Sequence, residues 1–279
     1  MPTPANDSDP CSPLMTIEQV DLAIPAYGGA LDIHVTQLGA GPSIVYFHPA
    51  DGFNVDPFVL DLAERYTVYA PHFPGTAPSD PYAIHAVRSL WEVVLAYQEV
   101  LSSLGIERPV AIGQSFGGMM AAELAATFPG IFERMVLLDP IGLWNDDYPV
   151  VNWTAASPAD MPALLFHDPG APDALAALAL PDDPEEMIES LSRADWSIGC
   201  TARFIWPIPD KGLARRLHRI TTPTLVVWGE NDRLCPVAYA DDFVAGVPHS
   251  TKVIIPQCGH IPQVERRVEL HAALARFLG

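Results

Sequence analysis

The 279-residue sequence predicts an α/β protein with a mostly parallel central sheet and helices on both faces. Three observations carry this. Short apolar runs alternate with helix-forming stretches from Ser43 to Pro140, and the alternation resumes at Thr224. The runs are continuous rather than alternating in polarity, as strands covered on both faces are. The stretch Val110-Ala111-Ile112-Gly113-Gln114-Ser115-Phe116-Gly117-Gly118 then joins one such run to a helix through Gly-x-Ser-x-Gly. That turn is tight enough to strain the Ser backbone, and glycines on both flanks keep side chains from clashing.

Taken in order, residues 1–14 are polar and Pro-rich and are expected to form a flexible arm. Thr16–Ile24 and Leu31–Leu38 read as a hairpin broken at Tyr27-Gly28-Gly29. Ser43–Phe47 is a buried strand, Pro57–Arg65 a short helix and Tyr66–Ala70 another strand. From Ile84 to Leu104 the apolar residues recur at helical spacing and stop at Gly105. After the Ser115 turn, Met119–Ala126 is rich in strong helix formers, and Arg134–Leu138 is a further strand. Residues 141–212 break the pattern. They hold four of the six tryptophans and twelve of the 34 acidic residues, and read as a mainly helical lid with an aromatic underside and a solvated acidic face. The core, residues 15–140 and 213–279, closes with the strand Thr224–Trp228, a helix near Val237–Val247 and the strand Lys252–Ile255. A last helix spans about Pro262–Leu278, with Val264, Val268, Leu270, Ala273, Leu274 and Phe277 at core-like spacing.

Bulk composition narrows the function. A formal charge of −19 repels phosphate backbones and anionic membranes, which argues against nucleic-acid or membrane partners. No apolar run approaches a membrane span, and Met1–Pro13 has neither the basic nor the apolar region of a secretory signal, so a cytoplasmic location is expected. Cys11, Cys200, Cys235 and Cys258 show no zinc spacing. Cys235 and Cys258 lie on loops that could meet in a disulfide, although free buried thiols are the ordinary case.

A serine hydroxyl needs a base to take its proton and an acid to orient that base. His260 follows the last strand in a Gly-His turn, at the sheet edge that also carries Ser115. Asp232, in Gly229-Glu230-Asn231-Asp232, follows the preceding strand and is the expected acid. Asp139, at the end of Arg134–Leu138, is its competitor. His85, His167, His218, His249 and His271 read as structural.

With these motifs the chain resembles lid-bearing serine hydrolases of the α/β-hydrolase fold, such as esterases and meta-cleavage C–C hydrolases. The resemblance implies a Ser115–His260–Asp232 triad, an oxyanion hole from the N–H groups of Phe116 and Ala50, and no metal or organic cofactor. Two departures stand out. The usual His-Gly after the third strand is His48-Pro49-Ala50, and the Pro-Gly-x-Gly-x-Ser turn after the fourth reads Pro74-Gly75-Thr76-Ala77-Pro78-Ser79. Asp51 beside a developing oxyanion would oppose it, so it is expected to point away or to meet a substrate hydroxyl or amine. His48, Asp51, Gln114, Trp144 and Trp153 are the expected substrate contacts. The implied reaction is hydrolysis of an ester or thioester of a small, largely apolar molecule by a monomer or homodimer. C–C bond hydrolysis is an alternative, with Arg193, Arg203 or Lys211 as the cation for a substrate carboxylate. A non-catalytic small-molecule receptor on the same fold is another.

Overall fold

The computed structural model describes residues 18–279, so the N-terminal arm and Cys11 lie outside the described residues. An eight-stranded sheet has the order β1-β2-β4-β3-β5-β6-β7-β8. Its strands are β1 (Gln19–Ala26), β2 (Leu31–Leu38), β3 (Ser43–Phe47), β4 (Thr67–Pro71), β5 (Val110–Gln114), β6 (Arg134–Leu138), β7 (Thr224–Gly229) and β8 (Ser250–Ile255). Only β2 runs against its neighbours β1 and β4; the remaining pairs are parallel.

Period-two alternation sorts the strand side chains into two cores. Val45, Phe47, Met135, Leu137, Val226 and Trp228 face one way, against α2 (Leu90–Ser103), α3 (Phe116–Thr127) and α7 (Tyr239–Gly246). Ile44, Tyr46, Val136, Leu138, Leu225 and Val227 face the other, against α1 (Pro57–Ala63) and α9 (Arg267–Leu278). Burial on both faces is why these strands read as unbroken apolar runs.

Register decides where the site forms. Phe47 lies opposite Gly113, Gln114 opposite Leu138, and Leu138 opposite Val227. The parallel strands therefore end in line, and the residues leaving them (His48, Ser115, Asp139 and the loop to Asp232) share one edge of the sheet. The carboxyl edge of such a sheet is where open α/β folds bind ligands.

Two helices differ from expectation. The one foreseen from Ile84 begins at Leu90, because Ser89 caps it by accepting from Glu92 N–H while the Glu92 carboxylate accepts from Arg88 N–H. Ala83–Ala86 forms a separate 3-10 turn. The last helix is split at Arg266 (φ −138°, ψ 48°) into α8 (Pro262–Glu265) and α9. The break rotates the two faces relative to one another, so Val268, expected in the core, is 79% exposed.

Between β6 and β7 the chain forms α4 (Met161–Leu165), α5 (Pro172–Leu178) and α6 (Pro184–Ala202). Asp183 caps α6 by accepting from the Glu185 and Glu186 N–H groups. Trp153 packs edge to face against Trp206 at 4.9 Å, whereas Trp196 is outside, donating to the Pro81 carbonyl. The segment returns to β7 past Arg216. Its guanidinium reaches the otherwise buried Glu123 carboxylate of α3 at 2.8 Å and stacks over Trp91.

Candidate active site

Ser115 occupies the turn between β5 and α3 with φ 53° and ψ −112°, a conformation that L-residues rarely hold. Close packing enforces it. A Cβ on Gly117 would stand 2.0 Å from the Phe47 carbonyl oxygen, so only glycine lets α3 approach β3 this closely. The Ser115 N–H donates to Leu138 O at 2.8 Å, which ties the turn to β6.

His260 follows β8, and its ring meets both partners expected of it. Its Nδ1–H donates to Asp232 Oδ2 at 2.7 Å, which fixes the tautomer and leaves Nε2 to accept from Ser115 Oγ–H at 2.8 Å. All three side chains are buried, at 5, 3 and 8% exposure for Ser115, His260 and Asp232. The other oxygen of Asp232 accepts from the Leu234 and Cys235 N–H groups, both at 2.9 Å. Three donors thus converge on one carboxylate and fix its orientation. The arrangement is one that can deprotonate a hydroxyl and return the proton to a leaving group.

The neighbouring residues make protein contacts that sequence reading only partly identified. Gln114, expected to meet substrate, instead donates to the His260 carbonyl at 2.9 Å. His48 has both ring nitrogens engaged by protein: Nδ1–H donates to Pro49 O at 2.6 Å and Nε2 accepts from Phe73 N–H at 2.9 Å. Burial, then the neighbouring His72, lower its pKa to about 3, so it is a neutral brace between the loops after β3 and β4. Trp144 turns its indole N–H to Asp146, and Trp153 lies in the apolar cluster that also contains Phe116. Asp51 is exposed at its surface, and desolvation by the surrounding protein raises its carboxyl pKa while a backbone hydrogen bond lowers it.

The Phe116 and Ala50 N–H groups have no hydrogen-bond partner among the described residues. The Ala50 carbonyl lies 2.9 Å from Thr201 Oγ1 on α6, whose single hydroxyl proton also has the Ser197 and Ile198 carbonyls within reach. Sequence reading missed Glu265. Its carboxylate accepts from Gly259, His167 and Asp168 N–H groups, binding the His260 turn to the chain after α4. No local motif marks it. Cys200, Cys235 and Cys258 are free and buried, so Cys235 and Cys258 are not bridged. Among the described residues, the one group with metal-ligand proximity is Asp139, Asp232 and His260, whose ring nitrogens are both already engaged.

Residues 49–267 match the family model for the alpha/beta hydrolase fold. The chain belongs to that family. This α/β hydrolase is 26% identical over 269 residues to a 2-hydroxy-6-oxo-6-phenylhexa-2,4-dienoate hydrolase of Comamonas testosteroni, covering 88% of this chain and 91% of that enzyme. It is 28% identical over 255 residues to the dihydrolipoyllysine-residue acetyltransferase component of the acetoin cleaving system of Cupriavidus necator. That match covers 86% of the α/β hydrolase but 64% of the relative, so the chain spans under two thirds of that protein's length. In fold it is similar to the 2-hydroxy-6-oxo-6-phenylhexa-2,4-dienoate hydrolase of a Rhodococcus species, with a TM-score of 0.67, 22% identity, and 94% and 99% of the two chains covered. Hydrolases are thus among both the homologues and the structural neighbours of this α/β hydrolase. No helix among its described residues is long and apolar enough to cross a membrane.

Proposed function

We propose that this α/β hydrolase is a cytoplasmic serine hydrolase cleaving a carboxylic ester or thioester of a small, largely apolar molecule. The observation that carries the reading is the unbroken hydrogen-bond line from Ser115 through His260 to Asp232. In the proposed cycle, His260 Nε2 takes the Ser115 proton as Oγ attacks the carbonyl carbon. The Phe116 and Ala50 N–H groups receive the oxyanion, and Asp232 steadies the imidazolium. His260 then protonates the leaving alcohol or thiol, giving an acyl-enzyme on Ser115. A water deprotonated by His260 releases the acid and restores the serine. Residues 141–212 act as a lid over this edge of the sheet, with Trp144 and Trp153 on its apolar side.

C–C bond hydrolysis is the second reading, supported by the 26% identity to a dienoate hydrolase across 88% of the chain. A dienoate carries a carboxylate, for which a cation is the natural partner. Here Arg193 pairs with Glu189 on the exposed face of α6, and Arg203 donates to Ile84 O and stacks over Phe204. Asp51 adds a further carboxyl group within electrostatic reach of His260, beside Asp232. The engagement of both arginines by protein groups supports an uncharged substrate, and for that reason we put the ester reading first.

The test is fluorophosphonate labelling of wild type and Ser115→Ala, alongside turnover of p-nitrophenyl esters from acetyl to octanoyl and of 2-hydroxy-6-oxo-6-phenylhexa-2,4-dienoate. Labelling and ester turnover confined to wild type is the expected result. Turnover of the dienoate alone would establish the second reading. A wild type that takes no label would overturn both, leaving the ligand-binding reading.

A further inference from the structure

We propose that Asp139 is a positioning residue of the His260 relay, holding a carboxyl proton that it donates to the Asp232 carboxylate, so that the acid behind His260 is a carboxyl–carboxylate pair bearing one negative charge. The proposal rests on reading Ser115, His260 and Asp232 as the triad.

Geometry brings the three groups together. One carboxylate oxygen of Asp139, one of Asp232 and a ring nitrogen of His260 lie within 4.8 Å of one another, and all three residues are buried. Asp139 is wholly buried just after β6, with φ at 43°, in the left-handed region that is uncommon outside glycine. Its N–H donates to Val227 O, and its Oδ1 accepts from Gly229 N–H at 2.8 Å, the residue that opens the loop to Asp232. Its Oδ2 is buried and has no hydrogen-bond partner among the described residues.

Two carboxylates so close in a dry site cannot both stay charged, and the one with more donors keeps the charge. Asp232 has three, from Leu234 N, Cys235 N and His260 Nδ1; Asp139 has one. The proton therefore resides on Asp139. An orphaned Oδ2 is an unsatisfied acceptor when ionised, and becomes a donor beside Asp232 when protonated. The surroundings agree: burial and the Asp232 charge push the Asp139 carboxyl well up. The other titratable groups near the pair are Glu265, whose carboxylate is taken by three N–H groups, and the thiols of Cys235 and Cys258. Burial pushes both thiols up, keeping them neutral, and Arg266 is the cation near Cys258.

The decisive measurement is the titration of His260 by 15N NMR of the full-length protein labelled at histidine, which requires no substrate. Asp139→Asn keeps an acceptor for Gly229 N–H, a donor toward Asp232 and a neutral side chain. It is expected to leave the His260 pKa within about 0.3 units of wild type. Asp139→Ala removes the donor, concentrates charge on Asp232, and is expected to raise the His260 pKa by about half a unit or more. A fall of about one unit in Asp139→Asn would mean that a charge had been removed, and would overturn the proposal. So would an unchanged His260 in Asp139→Ala, which would reduce Asp139 to a brace for Gly229. Thermal melts confirm that each variant is folded at the temperature used. Wild type without hydrolytic activity would count against the proposed function and leave the His260 titration to decide the role of Asp139.

Discussion

Ser115 Oγ and His260 Nε2 meet at 2.8 Å although 145 residues separate them, and both approach from the carboxyl edge of parallel strands. On the proposed reading the pair would work as one unit: a base is useful only if the nucleophile is there, and a serine nucleophile is inert without its base. Ser115→Ala and His260→Ala are therefore expected each to lower kcat on the best p-nitrophenyl ester by about 10⁴-fold or more. The double variant is expected to be no worse than either single one. Steady-state rates on the three proteins check this, and losses that multiply would show two independent contributions instead of a relay.

The closeness that lifts Ser115 also sets a limit on substitution. At Gly117 an added Cβ would meet backbone carbonyls of Phe47 and His48, at 2.0 and 2.6 Å, and backbone cannot swing aside as a side chain can. Gly117→Ala is expected to destabilise by about 3 kcal/mol or more, or to prevent folding. Gly199, inside α6, is the contrast: nothing lies within 4 Å of its added Cβ. Gly199→Ala is expected to stabilise by about 0.5–1 kcal/mol through helix propensity. Urea titrations of the two variants against wild type test both signs.

What could be read in the chain and what could not divides along physical lines. The strand runs, the Gly113–Gly117 turn and the Gly-His at 259–260 carry local signals, because buried parallel strands and strained turns restrict residue type at the position itself. They led to the sheet, and to Ser115, Asp232 and His260 at one edge. The split before α9 was not visible, because periodicity continues through Arg266 while the break is a backbone event. Gln114 and His48 stood out as polar residues at the ends of buried strands, yet Gln114 Nε2 and His48 Nε2 find their partners in main-chain groups of distant loops. Such partners leave no mark in the sequence near the residue itself.

His48 also gives the stability of the fold a pH dependence. Folding buries it as the neutral ring, lowering its pKa from an ordinary 6.5 to about 3. Between those values the unfolded chain binds a proton that the native protein does not, so stability is full above about pH 6.5 and is lost as pH falls toward 3. One such group contributes a slope of about 1.4 kcal/mol per pH unit across that window. His72, brought down to about 4 mainly by burial, adds a second between its two values. In His48→Gln, which retains an acceptor for Phe73 N–H, the slope between pH 6 and 4 is expected to be shallower than in wild type by roughly one proton's worth. Urea unfolding at half-unit steps of pH measures it. Equal slopes in the two proteins would mean that His48 titrates normally in the folded state.

Glu265 governs the other side of His260. Its two oxygens collect N–H groups from Gly259, His167 and Asp168, while the His260 N–H itself donates to Leu165 O at 2.7 Å. The turn that aims the imidazole is thus fastened to the chain around the end of α4 by main-chain donors alone. Glu265→Ala strands those donors, two of whose bonds are part-buried, with an expected loss of about 1–2 kcal/mol. The imidazole then samples positions out of reach of Ser115, so kcat is expected to fall about tenfold while KM changes little, since no substrate contact is removed. Glu265→Gln keeps one acceptor oxygen and turns an NH₂ toward the remaining donors, and is expected to fall between wild type and alanine in both respects. A KM rise with unchanged kcat would instead place Glu265 in contact with substrate. Unchanged stability and rate would mean that the Leu165 bond holds the turn without it.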